Sequence, residues 1–125
     1  MSTDRENLTK FIRALKRFSQ FDTKMQVSTM LTLLEVADAA LAKEDISVQD
    51  LERRIGLLSG TASRNVYYWA EGHNDMRGGH NMVNVEISPQ DRRRRDLTLS
   101  PKGRAFINNV LGDLHGTAKR EEVPS

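Results

Sequence analysis

The 125-residue chain contains no cysteine. That excludes a disulfide framework, a thiolate nucleophile, cysteine-ligated zinc or iron–sulfur sites and thiol-based redox sensing. It also lacks any apolar run near the roughly 18 residues that a membrane span requires, and Met1 to Glu6 has none of the apolar character of a signal peptide. A soluble protein of a prokaryotic or viral-host cytoplasm, without a membrane partner, is expected. Internal repeats, low-complexity segments and a phosphate-cradling glycine motif after a strand are missing as well. His73, His80 and His115 fall in a loop-like stretch and at a helix end with no nucleophile beside them, so neither enzymatic chemistry nor a cofactor is expected.

An excess of one charge is scarce too. The net +2 is too small to indicate a polyanionic partner, so the distribution decides. Residues 1–20 carry five basic and two acidic groups, 21–58 four and seven, 59–104 eight and five, and 105–125 two and three. A polyanion would meet two basic regions separated by an acidic belt. The length suits one domain, since chains of this size bury about two-thirds of their unfolded surface. That domain is assigned to 1–116, with the charged 117–125, poor in apolar groups, as a disordered tail.

What is present is helical periodicity. Leu8, Phe11, Ile12, Leu15 and Phe18 form one apolar stripe, with Lys10, Arg13, Lys16 and Arg17 largely off it. That basic face reads either as solvated surface or as a phosphate-contacting or dimer-flanking face. Thr23-Lys-Met-Gln26 has the form of a capping box and starts a second helix. Its apolar set, Val27, Met30, Leu31, Leu34, Ala37 and Leu41, widened by Leu33, Val36 and Ala40, is expected to run through the core. Ser47 is placed to cap a third helix, with Asp50 in favourable charge relation to its N-terminus and Val48, Leu51 and Ile55 as its buried edge.

Gly56 suits the left-handed end of that helix and Ser59 the cap of the next, which leaves the tight corner of a helix-turn-helix. In the fourth helix Ala62, Val66, Trp69 and Ala70 share one face, so Gly60, Thr61, Arg64, Tyr67, Tyr68 and Glu71 point the other way, with Ser63 on the flank. Arg64 suits a bidentate contact to guanine, and Thr61 a base edge or a thymine methyl. Tyr67 and Tyr68, taken as an exposed pair, suit phosphates and sugars or a protein interface. Gly72 to Met82 reads as a mobile loop; His73, Asp75 and His80 within it match no helical ligand pair, and no metal site is expected.

Val83, Val85 and Ile87 alternate with polar residues, Pro89 to Asp91 bends the chain, and Leu97 and Leu99 alternate on the way back: a β-hairpin. Its tip carries Arg92, Arg93, Arg94 and Arg95, which repel one another without a counterion partner and suit phosphates or a narrow minor groove. Asp91 and Asp96 are expected to orient and partly neutralise them. Ser100-Pro101 starts a last helix carrying Phe106, Ile107, Val110, Leu111 and Leu114, with Gly116 at its end.

Asp91, Arg93, Leu97, Leu99, Ser100 and Gly103 reproduce the pattern Asp-x-Arg-x-x-x-(apolar)-x-Leu-Thr-x-x-Gly, with serine for threonine. Ser59, Thr61, Ala62, Ser63, Arg64 and Val66 are similar to Ser-x-Thr-(apolar)-Ser-Arg-x-Val. In these residues the chain resembles the MarR family of winged-helix transcriptional regulators. The resemblance implies a mainly α (α+β) winged helix-turn-helix, about five helices with a two- or three-stranded β-wing. It further implies a homodimer through the N- and C-terminal helices that reads double-stranded DNA. Ser59, Gly60, Thr61, Ser63, Arg64, Tyr67 and Tyr68 would lie on the recognition helix. Asp91, Arg92, Arg93, Arg94, Arg95 and Lys102 would lie on the wing, with Arg93 oriented by Asp91. The chain departs from the family in three places: Gly72 comes one residue early, the loop after it is longer and more polar, and the last helix stops near His115, which implies a dimer interface that is reduced, rearranged or absent and argues against a small-molecule effector pocket there. The leading expectation is a repressor that occludes a promoter; the competing one is a winged-helix interaction module, an accessory or viral adaptor docking on polymerase or another regulator.

Overall fold

The computed structural model describes residues 3–71 and 79–116. Five α-helices and one antiparallel hairpin follow in the order α1 (Thr3–Ser19), α2 (Val27–Ala42), α3 (Val48–Leu51), α4 (Ser59–Trp69), β1 (Val83–Ile87), β2 (Arg95–Leu99) and α5 (Pro101–His115), and a π-helical turn, Glu52–Gly56, continues α3. The chain divides into two compact units, one drawn from Met1–Met25 with Ala105–Ser125, the other Gln26–Arg104.

In the terminal unit the C-terminal end of α1 packs on α5. Phe18 is buried and meets Phe106 edge-on at a centroid distance of 5.2 Å, and Phe21 flanks the same ring at 5.4 Å. Asp113 is fully buried and takes both prongs of the Arg17 guanidinium, Nε at Oδ2 and Nη2 at Oδ1 (3.0 Å). A buried carboxylate needs such a bidentate partner to offset its lost hydration. Arg17 is therefore an internal ion-pair member and not part of a solvated basic face. The rest of the α1 stripe is exposed: Leu8, Phe11 (54% exposed), Ile12 and Leu15 open to solvent, as does Leu114 of α5.

In the inner unit α2 is the central helix, but the face it buries is not the one its leucines suggested. Thr32, Leu33, Val36, Ala37 and Ala39 are buried, whereas Val27, Leu31 and Leu41 are exposed. The helix is apolar around most of its circumference, so periodicity alone names no unique face. Packing by α4, β2 and the π turn selects one. The Thr23–Gln26 capping box does not form either. Gln26 is the N-cap of α2 without a side-chain hydrogen bond, and Asp22 captures the preceding turn through Lys24 N–H (2.9 Å to Oδ1) and Met25 N–H (3.1 Å to its carbonyl). A short Asx turn has outcompeted the cap.

Trp69, fully buried at the end of α4, donates its indole N–H to the Thr29 carbonyl of α2 (2.7 Å). Past the helix, His80 N–H reaches Tyr68 O, Met82 N–H reaches Trp69 O and Asn81 N–H reaches Ala70 O, so residues 80–82 satisfy carbonyls left open at the helix end. This part of the expected mobile loop is ordered; residues 72–78, with His73 and Asp75, lie outside the described residues. Strands β1 and β2 pair in the register Val83↔Leu99, Val85↔Leu97, Ile87↔Arg95. Val83 and Leu97 are buried, Val85 and Leu99 half-buried, and Ile87 is 65% exposed. Burial fades toward the tip because only the hairpin base rests on the helices, so the alternation overstated the buried face. Among the described residues the sheet is two-stranded, with a further bridge between Ser47 and Asp96.

Ser100 closes the hairpin and opens α5: its hydroxyl donates to Asn81 O (2.6 Å) and accepts from Gly103 N–H (3.0 Å). At Gly103 a Cβ would lie 2.1 Å from the Met82 carbonyl oxygen, which is backbone and cannot swing away. Gly103→Ala is thus expected to lower stability by at least ~1–3 kcal/mol through overpacking. Gly60→Ala, where only the end of the Arg64 side chain lies near at 3.6 Å, should leave the denaturation midpoint unchanged or raised. Equal midpoints for Gly103→Ala and the parent in urea would contradict the close approach.

Candidate nucleic-acid interface

The helix-turn-helix begins at Ser47, whose extended backbone lets its hydroxyl accept from Asp50 N–H (3.2 Å) while the Asp50 carboxylate accepts from Ser47 N–H (2.9 Å). The sequence pointed to the cap; the structure completes it as a reciprocal capping box, which satisfies two otherwise open donors. Asp50 also binds the Arg53 guanidinium through its other oxygen. Burial alone would push the Asp50 carboxyl up, but the Ser47 hydrogen bonds, then Arg53 and Arg94, outweigh it and hold the group below the ordinary carboxylate range. The π turn that follows is tied to α2 by Arg54, whose guanidinium reaches Glu35 (3.1 Å), Glu44 (3.7 Å) and Asp38 (3.9 Å). Gly56 then ends it in the left-handed conformation (φ 82°), as its place in the sequence suggested.

Helix α4 starts one residue earlier than expected. Leu58 is its N-cap, no side chain caps the first turn, and Ser59 is already helical. Ala62, Val66, Trp69 and Ala70 are buried as the helical wheel required, and Asn65 joins them, its Oδ1 accepting from Thr29 Oγ1 (3.2 Å). On the opposite face Gly60 and Arg64 are exposed and Thr61 and Ser63 half-exposed; Arg64 Nη2 lies 3.4 Å from Thr61 Oγ1, so the two form one polar group at the start of the helix. The tyrosines are not an exposed pair. Tyr67 accepts from Arg95 Nη1 at its hydroxyl (3.1 Å), and Tyr68 packs edge-on against Trp69 and His80 at 5.1 and 4.8 Å. Both are half-buried because the hairpin and residues 79–82 fold back over the end of α4.

His80 is accordingly a packing residue, and burial, then the charge of Lys102, lowers its pKa below the usual histidine value. Among the described residues no three His, Asp or Glu side chains come together to hold a metal.

The four wing arginines divide into two kinds. Arg92 and Arg93 are exposed, the Arg93 side chain at 93%. Asp91 shapes the turn beneath them by accepting Arg93 N–H (3.0 Å) and sits 3.8 Å from Arg93 Nε. Arg94 instead donates Nε to Asp96 Oδ1 (2.6 Å) and turns Nη2 toward Asp50 Oδ2 (3.6 Å). Its hydrogen bond to Asp96, opposed by lost solvation and helped by the charges of Asp96, Asp50 and Asp45, raises its pKa above the usual arginine value. Arg95 reaches Tyr67, and Gln49 Nε2 donates to the Arg93 carbonyl (3.3 Å). Asp96 thus orients Arg94 as expected, but Asp50, Gln49 and Tyr67 were not visible as wing partners, since they lie 28 to 44 residues away in sequence. Lys102 is exposed in the first turn of α5.

No family sequence model and no curated protein sequence matches the chain. Solved structures do. MepR of S. aureus in its DNA complex superposes with a TM-score of 0.64 at 15% identity, over 97% of this chain and 86% of that one. Wild-type MarR from E. coli gives 0.59 at 17% identity over 97% and 85%. BpsR of Bordetella bronchiseptica, whose DNA binding is regulated by 6-hydroxynicotinic acid, gives 0.55 at 18% identity over 89% and 76%. These likenesses establish the winged helix-turn-helix fold, in agreement with the resemblance read from the sequence.

Asp50 supplies the test of this geometry. Its folded pKa is depressed, so its contribution is present above the unfolded value and lost as pH falls through the folded one. Asp50→Asn is expected to cost ~1–2 kcal/mol at neutral pH, because the charge that strengthens the bond from Ser47 N–H and pairs Arg53 and Arg94 is lost while the Ser47 hydroxyl still caps the helix. The gap to the parent should begin to shrink as pH falls below about 4, where the unfolded chain takes up the proton, and close as pH falls through the lower folded pKa. Urea midpoints at neutral and acid pH measure it; a gap independent of pH would refute the assignment.

Proposed function

We propose that this chain is a sequence-specific, double-stranded-DNA-binding transcription regulator, a repressor acting by promoter occlusion, and not an enzyme. The observation that carries this reading is the side-by-side exposure of Thr61 and Arg64 at the start of α4, on the same unit as a wing whose Arg92 and Arg93 are open to solvent. In the major groove Arg64 would address guanine and Thr61 a neighbouring base, with Ser59, Gly60 and Ser63 against the backbone; phosphate contacts from Lys102 and the wing would add affinity. Asp91 presents Arg93 to the flanking minor groove. Tyr67 and Tyr68 act mainly through the wing and the core. The fold shared with a protein solved on DNA, MepR, supports the reading.

The same reading includes a homodimer through α1 and α5. Leu8, Phe11, Ile12, Leu15 and Leu114 form an amount of open apolar surface that a monomer in water does not favour. No small-molecule effector is included.

Selection of bound fragments from random duplex DNA tests the proposal. A preferred sequence should emerge with two half-sites about one helical turn apart. Arg64→Ala should then cost ~1–3 kcal/mol and relax preference at one position. Recovery of no sequence preference, or an Arg64→Ala profile identical to the parent's, would defeat it. For the dimer, Phe11→Glu should leave the helical signal intact while converting a dimeric sedimentation profile to a monomeric one; a parent that sediments as a monomer would contradict the interface.

A further inference from the structure

The wing of this protein does not leave the body as a free arm. Three consecutive residues of its returning limb are held by the helix-turn-helix: the Arg93 carbonyl by Gln49, the Arg94 guanidinium by Asp50, with Asp96 of the wing orienting it, and the Arg95 guanidinium by the Tyr67 hydroxyl. Below them Leu97 N–H donates to the Ile46 carbonyl (2.9 Å), and Ser47 bridges Asp96. Asp50 is itself fixed by Ser47, so the clamp reaches back to the first turn of α3. The tether on Arg95 ends on α4, the helix that carries Thr61 and Arg64. The side chains of Arg92 and Arg93 stay outside the clamp, open to solvent.

We infer that Arg94 is a positioning residue that locks the wing to the helix-turn-helix through Asp50 and Asp96, so that the chain reads a major-groove element and a flanking minor-groove element at one fixed separation. The inference rests on the DNA-binding reading and deepens it: specificity then includes the spacing between two contacts as well as the bases under α4. The physical ground is preorganisation. A wing already held in place loses little freedom on binding but cannot follow a displaced minor groove, whereas a released wing can shift at the cost of ordering. Guanidinium suits the task because its planar fork can serve two carboxylates at once, which an ammonium serves poorly.

The test uses the full chain and a duplex recovered by random selection, in two forms: as selected, and with one base pair inserted between the segment protected by α4 and the flanking A·T-rich segment. Binding is compared where circular dichroism shows every variant folded. The parent should lose about tenfold or more in affinity on insertion, the order expected when groove contacts are forced out of register. Arg94→Ala should bind the selected duplex more weakly yet lose at most about twofold to threefold on insertion, because its wing can relocate. Arg94→Lys should fall between the two. A merely structural role would weaken binding to both duplexes equally and leave the insertion penalty at the parental value, which would overturn the inference, as would a parent indifferent to insertion. A parent that binds no duplex at all would instead overturn the DNA-binding reading beneath it.

Discussion

One carboxylate organises the helix-turn-helix and its wing. Asp50 completes the cap of α3 with Ser47, holds Arg53 beside it and faces Arg94 across from the wing. Each of these bonds is ordinary in strength, but they share one group, so the start of the helix-turn-helix and the placement of the wing are coupled. Partial burial is what makes the coupling matter. It raises the cost of leaving Asp50 ionised and unpaired; Ser47 and Arg53 offset most of that cost, and Arg94 of the wing adds to the offset.

The wing shows how a run of like charges is accommodated. Four adjacent guanidiniums cannot all turn outward without mutual repulsion. The fold lets Arg92 and Arg93 face solvent, gives Arg94 to Asp96 and Asp50, and gives Arg95 to a tyrosine hydroxyl. The outward pair keeps the charge a phosphate or a minor groove would meet. The inward pair fixes where that charge stands. Alternation along the sequence cannot reveal this split, because the four residues are chemically identical and only their surroundings differ.

Much of the helix-turn-helix and wing was nonetheless legible. The face of α4 built from Ala62, Val66 and Trp69 followed from helical spacing, and Ser47, Gly56 and Ser100 declared their capping or turn positions by residue type. The hairpin followed from alternation, and the close approach of Gly103 to Met82 gives a physical reason for the glycine at the end of the wing pattern. Three features were hidden. The buried face of α2 was ambiguous because apolar residues surround the helix. Ile87 looked like core because a strand pattern cannot tell where a hairpin leaves the body. The engagement of Tyr67, Tyr68 and Arg94 depends on partners distant in sequence, which no local pattern records.

The division of the wing's charge is the central claim, and the salt dependence of duplex binding tests it most directly. Each phosphate contact contributes about 0.9 to the slope of log affinity against log salt. Arg92→Ala should therefore lower the parental slope by about one, while Arg94→Ala, whose charge is engaged inside the protein, should weaken binding and leave the slope unchanged. Equal slope losses for the two variants, or a flat parental response to salt, would contradict the account.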